Sequence, residues 1–153
     1  MNQMETPKTL FEELFTYNFH SNQQLAEVLD TNHEKIDPKS WSLFSHVLNA
    51  HEIWNCRILG LHPTHPVWGD RPLGKLAAID RKNYEQTVSL LKDCDLTDAV
   101  SYKTSTGQAF TNSIGEILFH IINHSTYHRG QIALLFRQHD MDPLVSDYIF
   151  FKR

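Results

Sequence analysis

The chain has 153 residues, enough for one domain (1–153) with a true hydrophobic core. Its 41% hydrophobic and 21% charged content is that of an ordinary globular protein. A net charge of −4 argues against a duplex nucleic acid partner, which would need a basic face. No apolar run reaches the roughly 18 to 20 residues of a membrane-spanning helix.

The opening, MNQMETPKTLFEELF, is acidic and polar, whereas an export signal is basic and then apolar. Cys56 and Cys94 fit no zinc or redox spacing and read as small hydrophobes of a reducing compartment. The expected location is cytoplasmic.

The spacing of Leu10, Leu14, Tyr17, Ser21, Leu25 and Val28 predicts a first amphipathic helix over Thr9 to Asp30. A polar stretch, TNHEKIDPKS, interrupts it. Asp37 as N-cap and Pro38 as first helical residue then open a second helix that stops near Gly60. GLHPTHPVWGDRP follows, a proline-rich loop whose His62 and His65 read as turn residues. A third helix fits Leu73 to Asp93, with Leu76, Thr87, Leu90 and Leu91 facing inward.

Between Leu96 and Asn112, Val100, Tyr102, Phe110 and the threonines around Gly107 suggest two short strands or an extended excursion. Ser113 and Glu116 form an S-x-x-E capping box for a fourth helix running to about Gln138. The end, MDPLVSDYIFFKR, reads as extended, held to the body by its aromatics. The expectation is an all-α four-helix bundle with a short β-like insertion before the last helix.

Ten histidines are many for this length, and FHIINHSTYHRGQ spaces three of them at intervals of four. With about 100° of rotation per residue, His128 falls in the middle of the stripe formed by Ile114, Ile117, Ile121, Ile132 and Leu135. His124 lies within the stripe about 40° away, and His120 lies at its margin about 80° away. His124 and His128, one turn apart, can therefore reach one ion near the bundle axis.

A hydrogen-bonded histidine cluster is the competing explanation. The central place of His128 favours a metal, since a neutral imidazole there would otherwise need a buried polar partner. A third ligand must come from another helix. On the second helix, Leu43, His46, Ala50, Ile53 and Arg57 form one stripe, while Val47, His51, Trp54 and Ile58 form another. Both stripes are largely apolar, so periodicity does not choose between His46 and His51.

The residues around these histidines resemble the DinB/YfiT-like family. NHSTYHRGQIALL (Asn123 to Leu135) is similar to its fourth-helix signature of Asn-His, three spacers and His-Arg-Gly-Gln. SHVLNAHEIW (Ser45 to Trp54) resembles its second-helix motif, in which a histidine precedes a tryptophan by eight positions. YNFHSNQQL (Tyr17 to Leu25) is similar to the first helix, with His20 where a tryptophan often stands, and DPLVSDYIFF (Asp142 to Phe151) to the closing segment. In the family the fourth helix usually ends in glycine. Here it ends around His139 and Asp140, which implies a slightly strained left-handed cap.

The resemblance selects His46 and implies a metal triad of His46, His124 and His128. It also implies an up-down-down-up bundle with a long crossover, often a homodimer. The ion would be divalent, nickel or zinc before iron, manganese or copper. Family members include thiol-dependent transferases and isomerases that use bacillithiol or mycothiol.

Two functions follow. One is a metal-dependent enzyme acting on a small molecule by thiol transfer or hydrolysis, with a low-molecular-weight thiol as possible cosubstrate. The other is a nonenzymatic metal-binding or stress-response bundle whose ion is structural or sequestered.

Nearby residues carry weaker expectations. His51 and His120 either hydrogen-bond around the ligands or simply pack. Arg129 attracts an anionic substrate or, more commonly for such a residue, forms a salt bridge. Asn123 and Gln131 tie helices together, Glu116 serves as a cap, and Glu52 is the one other acidic group near the motifs.

Overall fold

A computed structural model describes residues 6–153; the first five residues of the acidic opening lie outside the described ones. The order of elements is α1 (Pro7–Thr31), α2 (Pro38–Leu59), α3 (Leu76–Asp93), β1 (Ala99–Lys103), β2 (Ala109–Ser113), α4 (Ile114–Gln138) and a short α5 (Tyr148–Phe151).

Their boundaries follow from local chemistry. Asp37 accepts from the Lys39 N–H ahead of Pro38, and Gly60 ends α2 in the left-handed region (φ 68). Ser113 and Glu116 form the expected reciprocal capping box of α4. Asp140 takes the left-handed conformation after α4 (φ 54), as the missing glycine implied.

Two boundaries depart from expectation. α3 begins at Leu76 rather than Leu73, because Gly74 sits at φ 77 and the helix cannot pass back through it. The C-terminal segment is irregular only to Asp147, then makes one helical turn where an extended chain was expected. That turn places Phe151 and Tyr148 against Tyr17. Leu10, read as inward, is exposed near the helix start, whereas Leu76, Thr87, Leu90 and Leu91 are buried as expected.

Helix directions can be read from contacts. Asn22 donates to Asp80 at 2.8 Å and Thr16 meets Tyr84, so α1 and α3 run antiparallel. Asn83 donates to the Leu48 carbonyl at 3.0 Å and Thr87 meets His51, so α2 and α3 run parallel. His46 lies beside His124 and Trp54 beside His120, making α4 antiparallel to α2. The result is an up-down-down-up bundle of four main helices. The β1–β2 hairpin, pairing Val100 with Asn112 and Tyr102 with Phe110, precedes α4. No helix among the described residues is long and apolar enough to cross a membrane.

Two apolar clusters fill the bundle. One gathers Leu25, Leu29, Phe44, Leu48, Leu76 and Phe136; the other gathers Phe15, Leu91, Ile114, Ile117, Leu118 and Ile121. Beside these clusters every main helix contributes buried polar side chains: Asn18 and Asn22, His46 and Asn55, Asp80 and Asn83, His128 and Arg129. A polar layer across a core is costly unless its groups bond one another. Here Asp80 accepts from Asn22 and Gln23, and Arg129 donates to Asn18 and Asn22.

Candidate metal centre

Three histidines of this polar layer converge. The ligand atoms of His46, His124 and His128 all lie within 4.8 Å of one another, and no carboxylate joins them among the described residues. Nε2 of His46 is 3.0 Å from Nε2 of His124. The ring of His128 lies 4.8 Å from that of His46 and 4.5 Å from that of His124, centroid to centroid, nearly edge-on to both.

The neighbours fix which nitrogens are free. Nδ1 of His46 is 3.1 Å from the Val67 carbonyl, which can only accept, so the proton is on Nδ1 and Nε2 carries a lone pair. Nδ1 of His128 likewise donates to Oε1 of Gln131 at 2.7 Å. Among the three rings, one N–H of His124 could satisfy a single lone pair, whereas a shared cation satisfies all three. The donor set therefore fits a divalent ion, with the second nitrogens of His46 and His128 anchored as those of metal-binding histidines usually are.

Electrostatics point the same way. Burial, and then any charge on His128, His46 and His120, holds the His124 imidazole down to about 3, so it stays neutral at ordinary pH. Burial also lowers His46, against the pull of the Val67 carbonyl and with the help of His128. Neutral imidazoles are the ligand form of histidine.

The proline-rich loop between α2 and α3 closes one side of the cluster. Trp68 stacks on His46, with centroids 3.7 Å apart and planes 6° from parallel. This loop is fastened to α2 by polar groups. Arg71 forms a buried salt bridge with Glu52, its backbone N–H donates to Ser45 at 3.0 Å, and Asn49 donates to the Gly69 carbonyl at 2.6 Å. Glu52 also accepts from the backbone and hydroxyl of Thr64. These bonds explain why α2 is buried on both faces, and they hold the Val67 carbonyl that orients His46.

The cluster is not sealed. His46 and His124 line a cleft of about 640 Å³ walled by Ile53, Trp54, Leu61 and Val67. His128 lines a second cleft of about 360 Å³ with Leu43, Trp68 and Tyr127.

The other expected residues fall elsewhere. His51 turns toward α3 and meets Thr87 at 2.8 Å, away from the cluster. His120 is exposed and only packs, 5.1 Å from Trp54 and 5.5 Å from His124. Arg129 forms no salt bridge among the described residues, where the sequence suggested one. It is 4% exposed and its guanidinium bonds the amides of Asn18 and Asn22 instead. Gln131 orients His128 instead of joining helices, and Asn123 is exposed. His62 is exposed, while His65 lines the larger cleft.

Gln131, Val67 and Trp68 were missed as parts of the site. Only Gln131 left a trace, its spacing of three residues from His128.

Fold and cluster define a four-helix-bundle protein with a three-histidine group able to hold a metal ion. The DinB family model matches residues 1–153, and the chain belongs to the DinB family. A search of curated proteins finds no match.

Proposed function

We propose that this protein is a metal-dependent enzyme acting on a small molecule, by thiol transfer or hydrolysis, through an ion held by His46, His124 and His128. The observation that carries this reading is the pairing of fixed lone pairs with open clefts: two of the three rings are locked by Val67 and Gln131, His46 and His124 line a cleft of about 640 Å³, and His128 lines one of about 360 Å³. Three neutral ligands leave the ion its full charge and leave coordination positions for water or substrate, as in catalytic sites. When bound, such an ion lowers the pKa of water or binds a thiolate.

Around it, Val67 and Gln131 hold the imidazoles, and Trp68 shields His46 from solvent. Nickel or zinc is the proposed metal, with iron, manganese or copper also suited to imidazole. A low-molecular-weight thiol as cosubstrate, a homodimer and a cytoplasmic location belong to the same proposal.

One feature favours a second reading, in which the ion is structural or sequestered: Trp68 lies flat on His46 and covers part of the cluster. A panel of electrophiles offered with several thiols, and a panel of esters and amides, separates the two. Turnover that disappears with chelator and with His128→Ala supports the enzyme. Turnover indifferent to metal, or a large chelator-induced loss of melting temperature with no turnover of any compound, contradicts it.

A further inference from the structure

The larger cleft does not end at the histidines. Along α2 the face that carries His46 continues through Ala50, Ile53 and Trp54 to Arg57, which lines the same cavity. The Arg57 guanidinium carbon sits 4.2 Å from the ring centroid of Trp54 and 4.5 Å from that of Tyr102. One nitrogen donates to the Lys103 carbonyl at 3.4 Å. That bond uses one of five N–H groups, and no carboxylate of the described residues forms an ion pair with Arg57. Lys103, brought in by β1, lines the same end, and none of the described lining residues is acidic.

A partly buried cation is normally paired with a counter-ion. Here two rings hold it in a fixed orientation, and Lys103, whose carbonyl it meets, also lines the cleft. This is how a guanidinium is prepared to receive a planar or tetrahedral oxyanion.

We propose that the Arg57 end of the cleft is an anion subsite. Arg57, assisted by Lys103, would hold the carboxylate or phosphate of an elongated small molecule whose apolar body lies on Trp54, Ile53 and Leu61 and whose other end reaches His124 and His46. Arg57 lies eleven helical steps beyond His46, a rise of roughly 16 Å, so the ligand is long and carries its charge away from the three-histidine cluster. The assignment of the reacting end rests on the proposed function; the anion subsite itself does not need the ion. The competing role for Arg57 is packing alone, as a cover for Trp54 and a pin between α2 and the hairpin.

Three probes of similar shape test this: phenylbutyrate, phenylpropyl phosphate and the neutral phenylbutyramide. Each is titrated by ligand-observed NMR against the full chain as purified and again after chelator treatment. At low salt, at least one of the two anions is expected to bind about tenfold tighter than the amide, in both preparations. Arg57→Met keeps the apolar cover and removes the charge, so it abolishes that preference. Arg57→Lys restores part of it, and Lys103→Gln reduces it less than Arg57→Met.

A packing role would change melting temperature and leave the anion preference alone. Equal binding of all three probes, a preference that survives Arg57→Met, or no saturable binding by any probe overturns the proposal. A preference seen only before chelation does so as well, because it assigns the anion to the metal. If instead elemental analysis finds no metal but the preference persists, the metal reading fails and the subsite stands.

Discussion

Gln131 illustrates how a single side chain decides what a histidine can do. Its Oε1 takes the Nδ1 proton of His128 at 2.7 Å and so aims the other nitrogen at the cluster. Gln131→Leu keeps the volume but removes the acceptor. It is expected to weaken metal binding by about 10- to 100-fold, read by competition with a chromogenic chelator, with little change in the circular dichroism spectrum. Unchanged affinity would show that His128 needs no such anchor.

His51 supplies a contrast among imidazoles. Burial holds it down to about 3, whereas the free side chain titrates near 6.5. Below about 6.5 the unfolded chain binds a proton that the folded chain refuses, so the stabilisation from neutral His51 is complete above that pH and is lost as pH falls toward 3. Urea midpoints should therefore decline from about pH 7 to about pH 5, and His51→Gln should show a shallower decline. Equal slopes would count against this account of His51.

At this scale the fourth helix was legible in the sequence, because His124 and His128 share its apolar stripe. The second helix was not, since His46 and His51 lie on stripes of equal character, and burial on both faces erases periodicity. Arg129 was misjudged for a related reason: its partners, Asn18 and Asn22, lie more than a hundred positions away and carry no charge to suggest them.

Among the elements, the connection from α2 to α3 matters most to the site. Its prolines predicted a loop, but composition gave no hint that Glu52, Asn49 and Ser45 would fasten it to α2 or that it would deliver Val67 and Trp68 to His46. Those are long-range bonds, invisible to local pattern. Glu52→Gln leaves Arg71 buried without its counter-charge, and breaking such a pair costs about 3 kcal/mol or more. The expected result is a lower melting temperature together with weaker metal binding, because the Val67 carbonyl is no longer held. A melting temperature that falls while metal affinity stays unchanged would mean the loop does not position His46.

The capping residues were legible because their chemistry is local. Ser113→Ala should cost about 1 kcal/mol in denaturant unfolding without altering the metal site. The late start of α3 was hidden by Gly74, whose positive φ is a tertiary choice rather than a pattern.

Across the whole molecule, the polar layer beside the two apolar clusters is the feature from which the site arises. Each main helix brings buried polar side chains into the bundle, and the histidines occupy the part that opens on the clefts. An ion that binds only the folded arrangement raises stability by mass action, so the melting temperature should rise with added metal and fall with chelator. The His46→Ala, His124→Ala and His128→Ala variants should lose that response. The bundle was readable from helical spacing and caps, and the β-like insertion before its last helix from Val100, Tyr102, Phe110 and the threonines around Gly107, as strands or an extended excursion. The convergence of rings from α2 and α4 was supplied by the family resemblance, since no single-helix pattern contains it.

The most direct measurement is metal analysis with X-ray absorption on protein prepared without a histidine tag. About one divalent transition ion per chain is expected, bound by imidazole nitrogens and lost in His128→Ala. A carefully loaded sample that takes up no ion, or one whose ion is unaffected by His46→Ala, His124→Ala and His128→Ala, would contradict this expectation.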